Sequence, residues 1–328
     1  MYAWSLPMSR RGLLLFLTVA VLWGIPYLLI SVALEGLGPV SVVAGRVALG
    51  AVILLPLAWR RGLPRLLREH WRPLLLLAGV EVIAPFTLIA IGERTVPSGL
   101  TGVLIATEPL FILALSLFWG RRERLARGAG AGVALGFLGV VVLLGVKGVG
   151  GGAVLVLTAA ACYAVGALVM HRLFPTVPPL TVTAGMLALA AVPLLVAAAA
   201  LEPAPQITTR VLLAVAALGI ACTAGGFTCF FALISAEGPT RASFITYLAP
   251  VVAVVAGVAV LDEPLTSHAV AGTLLILAGA AVAARRPARM RTESSSIPVP
   301  ESGGPDAQHD VFVATTSKSD VRSETERA

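Results

Sequence analysis

Three charged side chains, Arg46, Glu81 and Glu108, each fall near the middle of a long apolar run. The run around Glu108 reads GVLIATEPLFILALSLFWG over residues 102–120. A lone charge at the centre of a bilayer costs about 2.5–3.5 kcal/mol on insertion scales, so each of the three needs a partner or a task. Arg46 is expected to neutralise one of the two glutamates, which leaves the trio one negative charge in excess. The other carboxyl must then hold a proton or be balanced by a cationic ligand. The chemistry this suggests is exchange, with Glu108 or Glu81 binding either a proton or the positive group of a solute. Arg46 would orient the carboxylates or meet a carboxylate on that solute. The alternative is that the three merely pin helices together. Paired buried ions stabilise weakly compared with apolar replacements, which favours a functional role.

Pro109 follows Glu108 directly. A proline inside a helix removes one hydrogen bond and permits a kink, so Pro109, Pro250 and Pro26 are the expected helix breaks. Trp23, Tyr163 and Tyr247, like Tyr27, Phe86, Phe111 and Phe227, lie within apolar runs rather than only at their ends. They are candidates to line a cavity, stack on a solute or hold a cation over a ring, with ordinary helix packing as the alternative.

The elements that position these residues follow from composition. The 328 residues are 58% hydrophobic and 12% charged, with a mean hydropathy of +0.93. Soluble domains carry about 25% charged residues, so the solvent implied here is lipid. Apolar runs long enough to span hydrocarbon fall near 12–34, 38–58, 73–92, 97–119, 128–146, 152–171, 179–201, 210–234, 241–261 and 267–284. The expected fold is an all-α integral membrane protein of ten transmembrane helices. Residues 1–11 form a short N-terminal segment and 285–328 a tail rich in Ser, Pro, Glu and Arg, expected to be disordered.

With the N-terminus inside, the inner loops and flanks hold seventeen Arg and the outer loops three Lys or Arg, namely Arg94, Lys147 and Arg210. That bias predicts both termini in the cytoplasm. It also accounts for the basicity without nucleic acid. The clusters at 60–72 and 121–127 fit anionic lipid contact.

The chain repeats itself at an offset of 140 positions. Trp23 meets Tyr163, Pro39 meets Pro179, Gly79 meets Gly219, Glu123 meets Glu263, and Gly132 and Gly139 meet Gly272 and Gly279. Pro109 meets Pro250 with a slip of one. Units of five helices, 12–146 and 152–284, must cross the membrane in opposite senses, the inverted arrangement of many secondary transporters. Arg46, Glu81 and Glu108 face Met186, Ala221 and Ala249 under this repeat, so the charge is confined to the first half.

Other chemistries are excluded. Cys162, Cys222 and Cys229 carry no CxxC or Cys/His pairing, so neither a disulfide framework nor a metal site is expected. His70, His171, His268 and His309 form no HExxH. The stretch GAGAGVALG (128–136) lacks the strand that a dinucleotide loop requires; its glycines at four-residue spacing suit close helix packing. No nucleophile stands beside a partner base, so no enzyme and no cofactor is expected. The N-terminal run exceeds a signal h-region and reads as a helix that stays.

The pieces WGIPY, GPVSVVAGRVALGAVILL, EPLF, RRERL, TRASFITYLAPVVAVVAGVAVLDEPLT and AGTLLILAGAAV, in this order, resemble the drug/metabolite transporter superfamily, within it the ten-helix EamA-type permeases. The resemblance covers residues 12–284. It departs from the family pattern at Arg122 and Asp262, where Gly often stands, and at Ala249, where Glu often precedes the proline. It implies a carrier of the bacterial inner membrane, typically an exporter of amino acids, related metabolites or drugs. The corresponding expectation is alternating access with proton antiport, the partners being a small solute, protons and membrane lipid. An uncoupled facilitator or a non-transporting scaffold are the rivals, and the oligomeric state, monomer or dimer, is left open.

Overall fold

A bilayer offers its solutes no hydrogen-bond partners, so an apolar chain must satisfy its backbone internally and does so as helices. The computed structural model describes residues 8–118, 129–145 and 150–283. Among them, eight helices are long and apolar enough to cross a membrane: α1 (Arg10–Ala33), α2 (Pro39–Trp59), α3 (Trp71–Gly92), α4 (Ser98–Ser116), α6 (Gly151–Leu173), α7 (Pro179–Leu201), α8 (Thr209–Glu237) and α9 (Pro239–Leu261). Two shorter apolar helices, α5 (Gly130–Leu144) and α10 (Ser267–Val282), complete the set of ten. The segments RRERL and 285–328, with Glu123 and the expected disordered tail, lie outside the described residues.

The basic segment after α2 was expected as loop, yet it contains a short helix, Leu63–Glu69. Gly62, at φ +93°, turns the chain into it, and Pro64 sits in its first turn, where a missing N–H costs nothing. Arg65 pairs with Glu69 one turn later at 3.0 Å.

The two halves interlock rather than sit side by side. α1 packs on α8 and α9, as α6 packs on α3 and α4; α2 lies against α7, α4 against α9, and α5 against α10. Each pairing maps onto itself or onto another when the halves are exchanged, as an inverted repeat demands. The α5–α10 contact shows what the glycines do. A Cβ on Gly279 would stand 2.6 Å from the Cα of Gly136 and 2.7 Å from the Gly132 carbonyl oxygen. A Cβ on Gly139 would meet the Gly272 carbonyl oxygen at 2.9 Å. The repeated glycines of both halves therefore form one interface where backbones touch.

Glutamates from the second half cap helices of the first. Glu202, following α7, accepts from the Val40 and Ser41 N–H groups, both at 2.8 Å. Glu263, following α9, accepts from Ser98 N–H at 2.6 Å and Gly99 N–H at 2.9 Å. On the opposite face Glu237, ending α8, accepts from the Ser9 N–H and hydroxyl at 3.0 and 2.7 Å. Each carboxylate meets the free N–H groups and positive dipole end of a partner helix. Glu202→Ala should lower stability by about 1–2 kcal/mol, read as a lower melting temperature in detergent with unchanged helical content.

Four of the helices are irregular at mid-depth. α1 is broken at Ile25, ahead of Pro26, into Arg10–Gly24 and Pro26–Ala33. α3 contains a π turn over Gly79–Ile83, and α8 another over Ala217–Gly225. α4 breaks into Ser98–Ile105 and Glu108–Phe118, with Ala106 and Thr107 in the gap. Pro250 departs from expectation: the helix Ile245–Leu261 runs unbroken through it, and the interruption lies earlier, at Ser243 and Phe244.

Candidate functional site

Two of the three charged residues marked by the sequence, Glu81 and Glu108, lie at these irregularities. Glu108 is the first residue of the second half of α4, released there by the turn at Ala106–Thr107. The Thr107 hydroxyl donates to the Leu104 carbonyl at 2.6 Å, which also accepts from the Thr107 N–H at 3.1 Å. Glu81 sits within the π turn of α3, its side chain directly against Gly166 of α6, 2.3–2.5 Å from where a Cβ would stand. π turns are rare and recur at functional positions. Glu81 lies within electrostatic reach of Glu108. Both carboxyls are half-buried. Among the described residues neither accepts a hydrogen bond nor joins an ion pair.

Arg46 does something other than the sequence suggests. It is 9% exposed, and no ion pair links it to either glutamate among the described residues. Its Nε donates to the Thr223 hydroxyl at 2.9 Å, and its guanidinium carbon stands 4.0 Å above the centre of the Phe86 ring. The hydroxyl of Thr223 in turn donates to the Leu218 carbonyl, five residues back, at 2.8 Å, a contact that the π turn of α8 creates. The positive charge is thus held by an aromatic face and a neutral hydroxyl. Its terminal nitrogens have no acceptor among the described residues.

Tyr163 of α6 joins the two groups. Its ring meets Phe86 edge-on at 6.4 Å, and its hydroxyl is within electrostatic reach of Arg46, Tyr27, Glu81 and Glu108. Tyr27, two residues beyond the break in α1, lies over Gly102 of α4, its ring carbons 3.1–3.2 Å from where a Cβ would stand. Trp23 is not part of this cluster. It covers Gly226 and packs on Phe227 and Phe230, with ring centroids at 5.7 and 4.6 Å, at the α1–α8 contact. Tyr247 packs on Phe244, the centroids 6.1 Å apart.

Sequence reasoning thus grouped Arg46 with the glutamates, where the structure separates a cationic point from an acidic pair. It missed Thr223, which the repeat relates to Ile83 and which no motif marks. It also missed Glu93, one residue beyond α3.

Ten helices in two interlocked, oppositely directed halves, with unpaired charges at their interruptions, is the build of a carrier. The sequence pattern of the EamA-like transporter family matches the chain twice, over residues 10–145 and 150–285. The chain belongs to the EamA-like transporter family. It is a membrane transporter of the drug/metabolite superfamily. Its similarity to known transporters extends along most of their length. It is 29% identical over 293 residues to a probable amino-acid metabolite efflux pump of Salmonella typhimurium, covering 83% of this chain and 94% of that one. It is 28% identical over 285 residues to the transporter YvbV of Bacillus subtilis, covering 83% and 91%. It is 28% identical over 268 residues to the inner membrane transporter YedA of Escherichia coli K12, covering 75% and 81%. A crystal structure of a protein 25% identical in sequence superposes with a TM-score of 0.61, covering 85% of this chain and 97% of that one.

Proposed function

We propose that this transporter exports amino acids or closely related amphiphilic metabolites from the bacterial cytoplasm, by alternating access, in exchange for protons. The observation that carries this reading is the pair Glu81 and Glu108. Two carboxyls sit within reach of each other at interruptions of α3 and α4 and have no partner among the described residues. An ionised carboxylate without a partner is costly there, so each stays neutral until a cation arrives. A substrate ammonium group is such a cation. Its binding releases a proton from Glu108 or Glu81, and the return of a proton expels it; competition between the two couples the fluxes. Arg46 supplies the complementary charge, with free terminal nitrogens aimed by Phe86 and Thr223 to receive a substrate carboxylate. One ligand carrying both an ammonium and a carboxylate satisfies both points at once. Tyr163 spans the distance between them, and Tyr27, Trp23 and Tyr247 belong to the helices that must move. The termini face the cytoplasm in this reading, as the arginine bias requires.

Arg46→Lys keeps the charge but loses the planar fork and the Nε bond. It should raise the KM for the transported amino acid by about tenfold, the worth of one charge-assisted hydrogen bond, with a smaller change in maximal rate.

Purified protein in proteoliposomes, screened against amino acids and cationic drugs with an imposed pH gradient, tests the reading. An amino acid whose accumulation follows the gradient supports it. Flux that runs down its own gradient and ignores pH would leave an uncoupled facilitator.

A further inference from the structure

Glu93 follows the last residue of α3 and is 8% exposed, buried in a way Glu81 and Glu108 are not. Its Oε2 accepts from the Ser31 hydroxyl of α1 at 3.2 Å. Its Oε1 is enclosed and meets no donor. Its neighbour Arg94 points to the exposed surface. The groups that face Glu93 come from several elements: Tyr27 and Ser31 from α1, Arg46 from α2, and Glu263 from the connection after α9. α6, packed on Gly92 through Gly152 and Val156, brings no ionisable group there. Arg46 acts on Glu93 from a distance and is engaged with Thr223 and Phe86. Glu263 adds a like charge whose own oxygens are occupied by the Ser98 and Gly99 N–H groups.

A carboxyl enclosed in this way, with one oxygen empty and a second carboxylate nearby, holds a proton on that oxygen. Burial, reinforced by Glu263, pushes Glu93 well above the ordinary carboxylate range, against the opposing pull of the Ser31 hydroxyl. Tyr27 lies within electrostatic reach of both Glu93 and Glu108.

We propose that Glu93 is a second proton-carrying group of the transport cycle, loaded from the face that bears Glu263 and discharging toward Glu108 through the Tyr27 hydroxyl. This rests on the proton-exchange reading given above. The transfer conserves charge and protons: Glu93 gives its proton to the Tyr27 oxygen while Tyr27 gives its own to a Glu108 oxygen. One carboxylic acid disappears and one forms. Movement of the second half of α1 past α3 and α4 is what brings the three groups into line, since Tyr27 and Ser31 ride on it together.

The test has two arms on the full chain. In lipid nanodiscs, infrared difference spectra of wild type against Glu93→Gln at neutral pH should show the carbonyl band of a protonated carboxyl. The same difference band should appear when Glu108→Gln is compared with the Glu93→Gln/Glu108→Gln double variant. Absence of the band from either difference spectrum overturns the proposal. Stability supplies a second sign in the same arm. A folded-state pKa above the unfolded one means the wild type loses stability as pH rises from the ordinary glutamate range toward the raised value. Glu93→Gln has no such group, so its melting temperature should gain on the wild type over that interval; parallel curves overturn the assignment. In proteoliposomes, amino-acid uptake driven by a pH gradient should fall roughly a hundredfold in Glu93→Gln, the usual worth of a positioned proton donor. Gradient-driven uptake equal to wild type overturns the relay. If the wild type itself ignores the gradient while the infrared band is present, the coupling is what fails, and with it the relay, although Glu93 remains the protonated site.

Discussion

Glu108→Gln should abolish the proposed proton-driven transport. Glutamine matches the neutral carboxyl in shape and volume, so the break in α4 and the packing around Phe111 and Leu110 persist, and the protein folds. What disappears is the ability to become negative. Without a charge to offer, the site neither attracts an ammonium group nor releases a proton when one arrives. Gradient-driven uptake in proteoliposomes should fall by roughly two orders of magnitude or more. Substrate-induced proton release in detergent should vanish with it. Glu81→Gln is the comparison that apportions roles. Glu81→Gln leaves Glu108 in place as an exchangeable carboxyl, so gradient-driven uptake should be weakened rather than lost. Full coupled flux in Glu108→Gln ends the mechanism.

Gly279→Leu should prevent folding. The position offers no room even for a methyl group, because the obstruction is the backbone of Gly136 and Gly132 rather than a side chain that can swing away. A leucine must push α10 off α5. In lipid no hydrophobic force restores the contact, since the displaced surfaces are as content against acyl chains. The loss exceeds the usual 1–3 kcal/mol of overpacking, against a total stability of about 5–15 kcal/mol. Gly130→Leu is the control: a Cβ there meets nothing within 4 Å, and the variant should behave as wild type. Size-exclusion chromatography after detergent extraction reads both, with aggregate for the first and a single peak for the second. Gly279→Ala should fall between them.

How much of this was visible in the sequence depends on how local the cause was. Helix positions were legible because twenty apolar residues in a row allow one solution in a bilayer. The glycine interface of α5 and α10 was legible as spacing, and its partners as repeat mates. Breaks at Pro26 and Pro109 follow from a missing N–H. Pro250 shows the limit of that inference, since a helix packed on its neighbours can carry a proline without parting. Charge pairing was the larger misreading. Opposite signs at similar depth suggest a salt bridge, but distances across a bundle are set by which helix faces touch. The π turn of α8 turns Thr223 toward Arg46, and no residue pattern announces a π turn. Glu93 was passed over because it lies just past an apolar run, where a carboxylate normally reaches water; the enclosure comes from α1 and the connection after α9, remote in sequence.

The extra residue wound into α3 recurs in α8, at positions the duplication equates, yet Glu81 stands in one copy and Ala221 in the other. The bend recurs in both halves and the acid in one. On the proposed alternating-access cycle both arms would flex alike, while the exchangeable carboxyl is offered by a single half. Placing an acid in the second copy, by Ala221→Glu, should give a transporter that takes up protons at two mirrored stations, and its stoichiometry would record the change.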